Sequence, residues 1–412
     1  VEKQGDTIRA GMSDVEVFLG IDGDTANAKG FSITQGFGAL VLTGDGLALE
    51  AGGGVELVGF DSVFTLSAEQ MKVQINTTDE QVTASVDTGS TELYDLDIEA
   101  NTFRFSGDNV SLTVISADVT ISGSFAVERF TETDWVVNPT NSNVEFVESS
   151  VIVLAISGFS IDLGADAPVK LVNGSGVFVF TDAGIAGEAS IGVEINASDE
   201  ISLAGTFGLV FNTAEKAIER RVTVGGESKV LSLPAAAANS TFIRVSGTNI
   251  VLNAFGQSVS GNFNLEKNGD EFRGGVSKVD VFLGTGQGTA DERGFRISDG
   301  RGAFLVTNEG VALEASGAIA LVGIENVTLQ AERMTVQVNT IETGPVSASI
   351  ATGEYDAGLP VVVDLALPAG PYTRLSGSGL ELVVFGQSIS GNFVVEKQGD
   401  TIRAGMSDVE VF

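Results

Sequence analysis

The chain has 412 residues, with 55 Asp and Glu against 22 Lys and Arg, a formal net charge of −33 at pH 7, and 43% hydrophobic residues. That apolar content can fill buried cores and argues against disorder, while the acidic excess must crowd the surface, where it repels nucleic acid and anionic membranes. Zero cysteines and zero histidines rule out disulfides and thiolate metal sites, and remove the commonest acid–base side chain and metal ligand.

Along the chain, apolar and polar residues alternate with the period of two that a half-buried strand requires. The first runs are Asp14 to Leu19, Val63 to Ala68 and Met71 to Asn76, with the turn Thr43-Gly44-Asp45-Gly46 among them. Next come Val110 to Val114 and Val119 to Phe125. Val151-Ile152-Val153-Leu154-Ala155 is apolar throughout, as a strand buried on both faces or facing lipid would be. Thr213 to Arg221 is the one stretch where a short helix is expected. Strands resume at Lys278 to Leu283 and Met334 to Asn339, and Val361 to Leu365 is again mostly apolar. Short Gly, Asp and Asn clusters separate the runs and supply tight hairpins, which favour antiparallel neighbours.

Internal repeats organise these elements. Val395 to Phe412 restates Val1 to Phe18 residue for residue, so the sequence is expected to be a window on a longer tandem-repeat chain. Within that long period a diverged unit recurs, marked by Ser122-Gly123-Ser124-Phe125, Ser260-Gly261-Asn262-Phe263 and Ser390-Gly391-Asn392-Phe393. A second marker places Gly46, Gly184 and Gly310 in register, followed by Glu50, Glu188 and Glu314. The units run 1–121, 122–259 and 260–389, the second being the most diverged, and 390–412 opens the next long repeat.

The expected fold is all-β: tandem units of mainly antiparallel strands, sandwich-like or roll-like, with sheets able to run from unit to unit. The alternative is a parallel β-solenoid. Gly46, Gly184 and Gly310 are expected in hairpin turns that disfavour a side chain, and Phe125, Phe263 and Phe393 are expected to be buried at the junctions between units.

The acids offer one metal reading, since calcium takes several oxygen ligands converging on a turn. Asp22 and Asp24 in Asp22-Gly23-Asp24 form the best local pair, with Asp95-Leu96-Asp97 next. The third-unit counterpart of Ile21 to Asp24 is Thr285-Gly286-Gln287-Gly288, which has no carboxylate, so solvated turns compete with calcium binding. No acid pair stands out for glycosidase chemistry, and one Trp and three Tyr make a poor sugar platform. No enzyme and no cofactor other than calcium is expected. No apolar run is long enough to span a bilayer, and no secretory leader opens the sequence, although either could lie outside such a window.

The stretches SGNFVVEK, FGQSISGNF and LTGDGLALEA resemble the repeat regions of giant bacterial cell-surface and secreted proteins, in style rather than through one diagnostic motif. The resemblance implies an extracellular or cell-surface filament, adhesin stalk or surface-layer role, with self-association between repeat units or chains as the partnership. It implies no catalytic residues. Two alternatives stay open: a lipid-carrying β-groove and a calcium-dependent adhesive module.

Overall fold

Period-two alternation punctuated by tight turns yields, in the computed structural model of the chain, an all-β architecture that is 78% strand and has no helix among the described residues. The structure describes residues 1–23, 25–91, 93–115, 118–137, 144–163, 168–198, 201–224 and 227–412. Every described pairing is antiparallel, which excludes the parallel solenoid.

The strands are β1 (Glu2–Gln4), β2 (Thr7–Ile21), β3 (Lys29–Thr43), β4 (Gly46–Val58), β5 (Phe64–Asn76), β6 (Val82–Asp87), β7 (Leu93–Ile98), β8 (Thr102–Val114) and β9 (Val119–Val137). They continue as β10 (Val144–Asp162), β11 (Val169–Thr181), β12 (Gly184–Ser198), β13 (Ile201–Asn212), β14 (Ile218–Val224), β15 (Glu227–Leu233), β16 (Phe242–Ala254), β17 (Gln257–Asn268) and β18 (Glu271–Thr285). The remainder are β19 (Arg293–Thr307), β20 (Gly310–Val322), β21 (Val327–Asn339), β22 (Val346–Asp356), β23 (Leu359–Leu367), β24 (Tyr372–Val384), β25 (Gln387–Gln398) and β26 (Thr401–Val411). Twenty of them carry the long antiparallel ladder, and the other six form three separate hairpins, β6–β7, β14–β15 and β22–β23.

The chain divides into two units, Val1–Ile191 with Asn212–Ala235, and Gly192–Phe211 with Ala236–Phe412. In the first, the ladder runs through β2, β3, β4, β5, β8, β9, β10 and β11. In the second it runs through β16 to β21 and then β24, β25 and β26. The sequence boundary at 121/122 falls inside β9, and the ladder crosses it without interruption.

The expected helix at Thr213 to Arg221 is not formed. Ile218 to Val224 pairs with β15 instead, from Ile218 opposite Leu233 to Val224 opposite Glu227. The helix-forming residues Ala214, Glu215 and Lys216 are taken up by the turn that leads into the hairpin, where the ladder satisfies the backbone.

Within each unit the hairpins lie against the long strands and form a core with them. β6–β7 reaches β2, β3, β4 and β5, while β22–β23 reaches β16 to β21. Under β6–β7 the sheet offers the small residues Ala39, Val41 and Ala48, and the hairpin fills the space with Val86, Leu96 and Ile98. The same division recurs under β22–β23, where Ala303 and Ala312 meet Ile350, Leu365 and Leu367. Small side chains on the sheet let the hairpin backbone approach closely.

Directly opposed residues share a face. One transverse row of the other face therefore reads Gly38, Ala51, Val73, Phe105, Val127, Leu154 and Phe178. The adjoining row reads Leu40, Leu49, Ile75, Phe103, Arg129, Ile152 and Phe180. Phe103, Ile152 and Phe180 in the second row are 46%, 41% and 37% exposed. The sheet thus hides small residues beneath its hairpins and shows large apolar ones on its open side. The run Val151 to Ala155 is divided the same way: Val151, Val153 and Ala155 are buried, while Ile152 is exposed and Leu154 half-buried.

Candidate functional site

Two local constructions recur, and each begins from the repeat markers. The first is a latch. Gly46, Gly184 and Gly310 stand at the first position of β4, β12 and β20, closing two-residue turns, with φ of +148°, +145° and +146°. A Cβ on Gly46 would lie 2.7 Å from Oγ1 of Thr77; on Gly184 and Gly310 it would lie 2.5 Å from Oγ1 of Thr213 and Thr340. The space is taken because those threonine hydroxyls accept hydrogen bonds from the backbone N–H groups of Leu47, Ile185 and Val311, at 2.9, 2.8 and 2.8 Å.

Before each threonine stands an asparagine, Asn76, Asn212 or Asn339, at most 2% exposed. Asn76 Nδ2 donates to the carbonyl oxygens of Glu80, Ile98 and Glu99, and its Oδ1 accepts from Thr78 N at 2.9 Å. Asn212 donates to Lys216 and Pro234 and accepts from Ala214 N. Asn339 donates to Pro368 and accepts from Ile341 N. Asn76 and Asn212 thereby tie the end of a long strand to both ends of the hairpin segment that follows, and Asn339 ties its strand to the far end. The repeated Asn-Thr dipeptide at a fixed place after an alternating strand was the available sequence signal.

The second construction explains the Ser-Gly-x-Phe marker. The long strands carry β-bulges on a transverse line, for example at Met12/Val15, Thr34/Phe37, Gly107/Val110 and Ser157/Ser160. The bulge residues take left-handed backbone, as at Asp14, Gln35 and Asn109. The third marker residue accepts a hydrogen bond from the bulge N–H: Ser124 from Asn109 at 3.1 Å, Asn262 from Asn249 at 2.8 Å and Asn392 from Gly379 at 2.9 Å. The marker phenylalanines are half-buried on the open face in mid-strand. Phe125 lies opposite Gly107, Phe263 opposite Gly247 and Phe393 opposite Gly377, each ring covering its glycine.

Among the described residues two carboxylates, Glu50 and Glu266, are buried. Glu266, 5% exposed, accepts from Arg244 Nε at 2.8 Å and from Arg273 Nη2 at 2.8 Å. Burial by itself would raise its pKa, but the two guanidiniums outweigh that and hold the carboxyl below its ordinary range. Glu50 and Glu314 are each bonded by a glutamine on the next strand, Gln74 at 2.5 Å and Gln337 at 2.6 Å. Tyr94 of β7 stacks on Phe37 at 5.4 Å and donates to Glu50; burial first, and then this carboxylate, push its hydroxyl pKa up.

Of the calcium candidates, Asp22 has φ +56°, and its carbonyl accepts from Thr25 N at 3.0 Å; Asp24 lies outside the described residues. Asp95 and Asp97 lie on the exposed side of β7, bonded by Ser85 and Gln81 at 2.6 Å each. Among the described residues no group of three or more carboxylates is gathered for a metal ion. No described helix is long and apolar enough to cross a membrane. An apolar cavity of about 280 Å³ lies on the open face of the first unit, lined by Met12, Val17, Ile33, Met71, Val73 and Phe105 among others.

Comparison of the chain with protein-family models, curated proteins and solved structures returns no match.

Proposed function

We propose that this chain is a structural repeat segment, part of a stiff extracellular filament, stalk or surface layer. One observation carries the reading: at Asn76, Asn212 and Asn339 a buried carboxamide at the end of a long strand donates to a carbonyl at the far end of the hairpin segment that follows, so the repeated chemistry serves architecture. Stability in such arrays accumulates from each repeat and its neighbours. The acidic surface keeps finished assemblies apart. The cell-surface setting rests on the resemblance in repeat style. Electron microscopy of native material tests it: fibres whose axial repeat matches the Val1-to-Val395 period are expected, and compact monodisperse particles would contradict it.

A lipid-carrying sheet is the second reading, favoured by the open rows of Phe, Leu, Ile and Val. Native mass spectrometry after gentle purification tests it. Bound acyl lipid is the expected outcome, and a bare chain in every preparation would count against it.

A further inference from the structure

Beyond the line of bulges the two faces of the first unit's sheet are made of different residues. One transverse row there reads Glu56, Ser67, Ser111, Ser122 and Ser160. Alternating with them along the strands, and so on the other face, stand Leu66, Leu112, Ile121, Ile161 and Leu171. None of these side chains is buried, and Ile121 is 36% exposed. Serines and an acid suit a row that meets water; the apolar row is reached by solvent too, with the opposite chemistry. It continues the open face across the bulges. Val17, Ile33 and Val55 line the same cavity as Met12, Val73 and Phe105, and Val55 pairs with Ala68, the alternate neighbour of Leu66. The second unit repeats the contrast, with Arg296, Ala320, Gln330, Glu381 and Ser390 in one row and Phe295, Leu321, Leu329, Leu382 and Ile389 in the other.

We infer that this open face is an interface between copies of the chain, closed by the same face of a second copy when salt screens their charge. A two-fold axis sets identical apolar rows against each other, and sheets packed in this way lie about 10 Å apart with their side chains interdigitated. The area suffices. In the first unit the ladder has eight strands of 13 residues or more, which at about 4.8 Å between strands and about 3.4 Å per residue span roughly 1,700 Å². A standard stable interface takes only about 800 Å² from each partner. The apolar cavity of about 280 Å³, lined by Gly36 and Gly53 at the bulges, offers the facing sheet a socket, since about 150 Å³ already holds a benzene ring.

Charge favours a second copy over lipid and sets the conditions for pairing. The chain carries 55 acids, yet none stands at the positions named on the open face of the first unit. The single charged residue among them is Arg129, at the margin opposite Phe103 near the start of β8. That is little for an anionic headgroup to bind, and the net charge of −33 repels an anionic leaflet. The same charge opposes pairing from outside the interface. At about 10 mM salt the Debye length is about 30 Å, so dilute copies stay apart with the face open; at about 1 M it shrinks to about 3 Å and apolar burial prevails. Pairing therefore strengthens with salt, the reverse of an interface held by ion pairs.

Sedimentation velocity of the whole 412-residue protein is the test. Monomer is expected in about 10 mM sodium chloride, and a concentration-dependent rise to dimer or larger in about 1 M. Monomer in both at every concentration, with or without bound lipid, would overturn pairing. Cysteine, which the chain lacks, locates the surface. Ile121→Cys and Ser122→Cys stand side by side on opposite faces and change little in size. In high salt, labelling by a neutral maleimide should slow at least about tenfold at Ile121→Cys and less than about twofold at Ser122→Cys, because only the open fraction reacts. Equal changes at the two positions would overturn the choice of face. Leu112→Glu/Leu321→Glu should stay monomeric in high salt, while Ser111→Glu/Ala320→Glu, with the same added charge, should associate as the unaltered protein does. The inference rests on the scaffold reading, yet the two fail separately. Native fibres from a chain that stays monomeric in salt would remove face pairing alone, and face-specific pairing without native fibres would remove the scaffold alone.

Discussion

Nδ2 of Asn76 lies 3.0 Å from the carbonyl oxygen of Ile98, both residues being about 2% exposed, and this bond joins the end of β5 to the end of β7. A buried carboxamide with all its partners in place is worth more than its bonds in water would suggest, because truncation strands the carbonyls it served. Asn76→Ala is expected to destabilise the chain by about 2–4 kcal/mol. Urea denaturation followed by circular dichroism checks it, and Asn339→Ala should behave alike.

Leu96 and Phe103 reverse the usual expectation that the larger apolar side chain matters more. Leu96 is 1% exposed beneath the hairpin, and Phe103 is 46% exposed on the open face. Leu96→Ala is expected to cost about 2–5 kcal/mol and Phe103→Ala no more than about 1 kcal/mol. Denaturation midpoints of the two variants decide the matter, and equal losses would mean that the open face is covered in solution.

Gly247 and Phe263 should be energetically coupled. A Cβ at position 247 would overlap the Phe263 ring. Gly247→Ala is expected to cost about 1–3 kcal/mol by overpacking, and much of that loss should vanish in the Phe263→Leu background. A double-mutant cycle gives the coupling, and simple additivity would contradict the packing described.

Glu266 provides an acid-dependent contribution. Its folded-state pKa is depressed, so the stabilisation is fully present above the ordinary carboxylate value and is lost as pH falls through the folded value. Glu266→Gln should therefore lower Tm at pH 7 and converge on the unaltered protein in strong acid. Thermal melts across that range test the sign, and a gap that widens on acidification would refute it.

The strand content and antiparallel pairing were legible because alternation such as Met71 to Asn76 survives without its context. Which face is covered was not legible. In Val151 to Ala155 both faces are apolar, and only the size difference between Ala155 and Leu154 hints that a hairpin must come close on one side. The helix-prone Thr213 to Arg221 misleads because pairing with β15 overrides local preference. Bulges could be suspected where Asn109 or Asp14 interrupts a strand, but Gln35 and Lys278 adopt the same left-handed backbone with no warning in their residue type. Asn76, Asn212 and Asn339 were hidden because a carboxamide at a strand end reads as an ordinary turn residue until its buried partners are located.

The latched hairpins have a mechanical consequence. A meander stretched along its chain is loaded across its hydrogen bonds, which open strand by strand at low force. The β6–β7 hairpin lies against β2, β3, β4 and β5 together, so peeling any of them also means lifting a shared roof. Under tension such a sheet should yield in multi-strand steps, with the three asparagines setting the force at which each step gives way.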